Sequence, residues 1–231
     1  MKITNENYLV TLNKVLDDID TKPHNKVLPI LELLNDFDRK DIVVLKALTH
    51  IHFRSKDYAK ALHYVLNALD IDPEDTQALK YKAWLYDQTG DKKLYIKTLE
   101  HLIALGKADF EVYDQYAEYQ ENKGLILNAL GSYTMALSSD ESFQQAIHAA
   151  IGGANCYSKL GAYGIAHEIY DTVLLVHPDD KIALYGKSYN YYLNKKINIA
   201  EKICKKIVSN HPDFQHPKDL LDLINKQKGK K

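Results

Sequence analysis

The chain has 231 residues, 45% of them hydrophobic, and 30 basic residues against 31 acidic ones leave a formal net charge of -1. That apolar content can build a continuous core and excludes disorder over most of the length. The near-zero charge gives no global field for nucleic acid or an anionic membrane surface, and no nucleic-acid partner is expected.

Cys156 and Cys204 lie far apart and neither has a CxxC neighbour, so both are expected to be reduced apolar fillers in a reducing compartment. The start, Met1 to Asn7, is polar and lacks the apolar run of a signal peptide. No stretch reaches the ~18 apolar residues of a membrane-spanning helix. A soluble, cytoplasmic protein without membrane insertion is expected.

In chain order, Tyr8, Leu9, Leu12, Val15, Leu16 and Ile19 have the spacing of one amphipathic helix. Asp20 to His24 breaks it, and Val27, Leu28, Ile30, Leu31, Leu33, Leu34 and Phe37 give a second. From residue 42 onward a period takes over. Pro73, Pro178 and Pro212 each stand behind an apolar run and before an acidic residue. The last two are 34 residues apart; the first two are 105 apart, which is three such steps plus three residues. A period of this length means one supersecondary unit copied along the chain. The units are expected at 42–75, 76–109, 110–146, 147–180 and 181–214, with the three extra residues absorbed by a loop in the polar stretch 138–142.

Equivalent positions support this register. The eighth residue is Thr49, Ala83, Ala117, Ala154 and Ser188; the twentieth is Ala61, Tyr95, Ala129, Ala166 and Ala200. Small residues at two fixed places are what two helices need where their backbones approach closely. Between the two runs of each unit sits a break: Ser55-Lys56-Asp57, Gly90-Asp91, Lys123-Gly124, Leu160-Gly161 and Asn194-Lys195-Lys196. Each unit is expected to be helix, tight turn, helix, with glycine supplying a left-handed cap. After the last unit, Pro217 opens a run with Leu220, Leu221, Leu223 and Ile224, expected to fray at Asn225 and Lys226. Residues 1–41 are expected to form a degenerate helix pair that caps the array, and 215–231 a capping helix with a basic tail. That tail is expected to be a solvated end, with a localisation or nucleic-acid signal as the alternative.

Ser55-Lys56-Asp57-Tyr58-Ala59-Lys60-Ala61, Leu160-Gly161-Ala162-Tyr163-Gly164-Ile165-Ala166 and Asn67-Ala68-Leu69-Asp70-Ile71-Asp72-Pro73 resemble the turn, second-helix start and ending of the tetratricopeptide repeat. The resemblance covers about three quarters of the chain. It implies an all-α, right-handed α-solenoid of helix-turn-helix repeats. Two departures stand out in the second unit: Tyr95 replaces the expected alanine, so looser packing or a bend is expected, and Gly106 stops the unit in place of a proline.

The family's use of its first helices to line a concave groove implies a set of partner-binding residues. They are Lys46, His50 and Arg54 in the first unit, and Lys80 and Trp84 in the second. The third unit supplies Glu111, Asp114, Glu118 and Glu121, the fourth His148 and Asn155, and the fifth Tyr185, Tyr189 and Tyr192. A basic and aromatic zone, an acidic zone and a tyrosine-rich zone are expected. The tyrosines suit an interface, or else they pack against the C-terminal helix. One subgroup of the family clamps the free carboxylate of chaperone tails. Lys46 matches one of its positions, but Glu111 stands at another and would repel a carboxylate, so no such clamp is expected.

No phosphate loop, nucleotide-binding glycine fingerprint or nucleophile elbow is present. The ten histidines show no metal-ligand spacing in sequence: His50 and His52 point to different sides of a helix. Gly152-Gly153 falls inside a helical run and suits close helix packing. No cofactor, metal or catalytic residue is expected. The leading reading is a non-enzymatic adaptor that holds a peptide segment or partner protein in the groove. The alternative is a chaperone-like carrier of aggregation-prone clients, similar to the repeat chaperones of secretion systems.

Overall fold

The computed structural model describes residues 2–139 and 142–229. Among them are thirteen α-helices: α1 (Tyr8–Asp18), α2 (His24–Phe37), α3 (Ile42–Arg54), α4 (Tyr58–Ile71), α5 (Thr76–Thr89), α6 (Lys92–Ala104), α7 (Phe110–Asn122), α8 (Ile126–Leu137), α9 (Phe143–Lys159), α10 (Tyr163–Val176), α11 (Lys181–Leu193), α12 (Ile197–Asn210) and α13 (His216–Lys228). The described residues contain no strand. The helices fall into two compact units, α1–α6 and α7–α13. Within each unit the helices pack chiefly on their neighbours in sequence, as a stack of helix pairs requires.

Aspartate starts six of these helices. Asp41, Asp75, Asp109 and Asp180 accept backbone N–H bonds in the first turns of α3, α5, α7 and α11, and Asp57 and Asp91 do the same for α4 and α6. Each satisfies an orphan donor and places negative charge at the positive helix end. α9 begins instead with a capping box between Ser142 and Gln145. Of the stretch expected to hold the insertion, Asp140 and Glu141 lie outside the described residues. The helix that follows is 17 residues long, against 13 for α7 and α11.

The turns inside the five pairs from α3–α4 to α11–α12 pass through left-handed backbone. Gly90, Gly124 and Gly161 supply it with φ of 80°, 76° and 82°, and Gly106 (66°) does so after α6. The first and last turns use Lys56 (61°) and Lys195 (59°) in the same role.

The small residues are where the helices meet. Thr49, Ala83, Ala117, Ala154 and Ser188 are at most 2% exposed, and Ala61, Ala129, Ala166 and Ala200 are fully buried. Tyr95, in the place of the fifth alanine, is half-buried instead.

Bulk is traded between successive pairs. Tyr133 of α8 lies over Gly152 of α9, where a Cβ would be 2.4 Å from its ring; Tyr170 of α10 lies over Gly186 of α11, where a Cβ would be 2.5 Å away. At the equivalent places, Val65 shares a core cluster with the large Tyr81, and Cys204 shares one with Leu220. A large residue on one side is met by a small one on the other, which preserves packing density.

The C-terminal helix runs further than its sequence suggests. α13 continues through Asn225 and Lys226 to Lys228, because Lys228 pairs with Glu201 of α12 and puts positive charge at the helix end. Leu220 and Ile224 are buried against Ala200 and Cys204.

Candidate functional site

In the first unit, α1, α3 and α5 line an open cleft of about 390 Å³ that includes Asp20, Lys46, His50, Gln77 and Tyr81. Its polar groups are tied to one another. His50 Nε2 lies 2.9 Å from Asp20 Oδ1, and Nδ1 lies 2.8 Å from the Tyr81 hydroxyl. A carboxylate only accepts, so Nε2 carries the proton and the tyrosine donates to Nδ1 in the neutral ring. Arg54 donates to the same Asp20 oxygen and to the Ile19 carbonyl, both at 2.9 Å. The bond from His50 holds the Asp20 carboxyl below the usual carboxylate range, with the charge of Arg54 acting the same way.

Lys46 donates to Asp75 at 2.9 Å, with both side chains largely buried. Burial pushes the Asp75 carboxyl up, but the bonds from Lys46 and the Ala78 N–H outweigh it and hold the group low. The expected basic zone is thus a charge-compensated one, in which Lys46 and Arg54 each have a carboxylate. Trp84 stands edge-on to Tyr81 at 5.3 Å and near Phe53 at 6.3 Å, forming an aromatic wall beyond the cleft. Lys80 is half-buried on α5.

In the second unit, α7, α9 and neighbouring residues line a cleft of about 460 Å³. Glu118, Glu121, Tyr133, His148, Gly152 and Asn155 are among its lining. Glu121 accepts from Lys159 at 2.7 Å and from the Tyr133 hydroxyl at 3.1 Å. Asn155 Oδ1 accepts from the Tyr170 hydroxyl at 2.6 Å. His148 Nδ1 is 3.1 Å from Asp114 Oδ1, and its Nε2 is 3.9 Å from Glu118 Oε1. The bond to Asp114 pushes the His148 pKa up, while burial and the Asp114 charge push the Glu118 carboxyl up. Glu111 accepts from Gln115 at 3.2 Å on the same helix.

Tyr133 and Tyr170 start on second helices, yet their hydroxyls reach acceptors on the first helices α7 and α9. The missing side chains of Gly152 and Gly186 make this possible. Neither tyrosine is among the residues that the family resemblance assigns to a groove. The signal is present in the sequence as a tyrosine paired with a glycine in the following unit.

Tyr185, Tyr189 and Tyr192 do form a stripe, with successive rings stacked 6.2 and 6.1 Å apart. The stripe is half-buried. Tyr185 packs edge-on against Phe214 and His216 at 5.8 and 5.5 Å, and all three tyrosines pack on the cluster that holds Leu220 and Ile224. Of the two readings of these rings, packing by the C-terminal helix is the one their contacts display.

Cys156 and Cys204 are free and buried, and burial pushes the Cys156 thiol up to about 12. No helix among the described residues is long and apolar enough to cross a membrane.

No protein-family model and no curated protein matches the sequence significantly. Solved structures do match its backbone. A tetratricopeptide repeat protein from Parabacteroides merdae superposes with a TM-score of 0.71 at 17% identity, covering 97% of this chain and 88% of its own. YrrB, described as a tetratricopeptide-repeat protein with an unusual peptide-binding site, gives 0.69 at 14% identity over 81% of this chain and 95% of its own. PilW, a type IV pilus biogenesis factor, gives 0.64 at 19% identity over 81% and 86%. With its paired helices, alanine contacts and left-handed turns, the chain has the tetratricopeptide-repeat fold.

Proposed function

We propose that the chain is a non-enzymatic interaction scaffold that takes a peptide segment or partner protein on its first helices. One observation carries this reading: in each unit the first helices line an open cleft whose polar groups are held in fixed places by their neighbours. The His50–Tyr81–Asp20 chain does this in the first unit, and the Tyr133–Glu121 and Tyr170–Asn155 pairs do it in the second. Groups engaged with one another and preorganised suit recognition more than turnover. The peptide-binding site named for YrrB supports the same use of the fold. A cytoplasmic setting fits two free thiols.

A photo-crosslinking residue at Gln77 or Ile182, one lining each cleft, tests the proposal in cell extract. Crosslinks that map to one discrete segment of a partner support an adaptor. Crosslinks to many unrelated apolar segments support a carrier of aggregation-prone clients. Silence at both positions, with capture instead at Leu175 on the second helix α10, overturns the cleft reading.

A further inference from the structure

We propose that Asp114, Glu118 and His148 form a binding site for a divalent transition-metal ion at the cleft of the second unit. The three residues come from two helices. Asp114 and Glu118 are one turn apart on α7, which puts their carboxylates on one face. His148 sits opposite them on α9. One donor atom from each lies within 4.8 Å of the other two. Three donors about 2.1 Å from a zinc ion in a tetrahedral site stand about 3.4 Å apart. The 3.1 Å between His148 Nδ1 and Asp114 Oδ1 is already at that scale. Glu118 and His148 are more than half exposed, so they are free to close the remaining distance, while Asp114, at 13% exposure, anchors the site.

The local charge favours such an ion. Glu121, the other carboxylate of the cleft, is engaged by Lys159 and Tyr133. His148 is the only partner in the ion pairs described for Asp114 and Glu118. With the imidazole neutral, as a ligand must be, the two carboxylates carry a charge that one divalent ion cancels. The mixed imidazole and carboxylate set suits zinc, cobalt, nickel or manganese, while calcium and magnesium prefer oxygen alone. Three protein ligands leave coordination positions open toward the cleft, where water or a side chain of a bound segment completes the shell.

Titration of the full chain with cobalt(II), followed by visible ligand-field absorption, and with zinc, followed by calorimetry, tests the site without any partner. Failure here therefore stays distinct from failure of the scaffold reading. One ion per chain is expected. H148A and E118Q, both at exposed positions, are each expected to weaken binding on the order of 10–100-fold with unchanged far-ultraviolet circular dichroism. H167A, which removes a half-buried histidine on α10, is expected to leave it unchanged. Absence of stoichiometric binding by the wild-type chain, or binding that survives intact in both H148A and E118Q, overturns the site.

Discussion

Gly152 shows how a single missing side chain carries structure into the cleft. Its absent Cβ is what lets the Tyr133 ring cross α9 and deliver a hydroxyl to Glu121. Gly152→Ala is expected to cost roughly 1–3 kcal/mol through overpacking against a ring that cannot yield cheaply. Adding Tyr133→Val, the residue type found at the equivalent Val65, should restore most of that loss. Urea melts of the two single variants and the double variant measure the coupling, and additive losses would mean that the ring and the glycine do not share a space. His52 belongs to the same scale. It is buried on α3, stacked on Tyr64 at 5.5 Å with His24 edge-on at 6.1 Å, and its Nε2 has no partner. Burial holds its pKa below the usual 6.5, with Asp57 pulling the other way and Lys60 and His24 adding to the fall. The unfolded chain therefore takes up the proton first, so this residue's contribution is complete above about pH 6.5 and is lost as pH falls below it. Thermal melts from about pH 7 to about pH 5 should show a smaller drop for His52→Gln than for the wild-type chain.

Helix starts are uneven along the chain, and that unevenness is a handle on stability. α4 and α6 open on capping aspartates, whereas α8, α10 and α12 open on Leu125, Ala162 and Lys196, none of whose side chains caps an N–H of its helix. Leu125 is half-exposed, so Leu125→Asp should raise stability by about 1 kcal/mol, readable as a higher urea midpoint with unchanged slope. Lys195, left-handed without being glycine, offers a second gain. Lys195→Gly should relieve part of the roughly 1–2 kcal/mol such a backbone costs an ordinary residue, less the entropy that glycine loses on folding. At this scale the sequence was largely legible. Alanine at a fixed spacing, glycine at the turns and apolar periodicity are local signals, and they give the helix pairs directly. The end of α13 was not legible, because Lys228 is held by a glutamate 27 residues away. The Tyr–Gly exchanges and the Asp114–Glu118–His148 cluster escaped for the same reason. Each joins residues of different repeats, and only the packing of successive helices shows which faces meet. The clefts were half legible: the family resemblance pointed to Lys46, His50 and Glu118, which line them, but the carboxylates that neutralise Lys46 and Arg54 come from a helix cap and from the turn after α1.

At the scale of the whole molecule, stability should be a local property in each of the two units. Their helices pack chiefly on sequence neighbours, and a stack of this kind sums the strengths of its pairs and the interfaces between them. A defect in one interface should then loosen the pairs beside it and fade along the stack. Ala166 is fully buried where α10 meets its neighbours, and Ala61 has the same role on α4. Replacing either with leucine forces extra methyl groups into a contact with no room and should cost roughly 1–3 kcal/mol. Native-state hydrogen exchange discriminates this picture from a single cooperative core. With Ala166→Leu, protection should fall most in α9, α10 and α11 and less in α7 and α13 of the same unit. With Ala61→Leu, it should fall most in α3, α4 and α5 and less in α1. Equal loss of protection in every helix of the affected unit would show that the pairs unfold together, and the account of stability as a sum of neighbouring interfaces would be wrong for this chain.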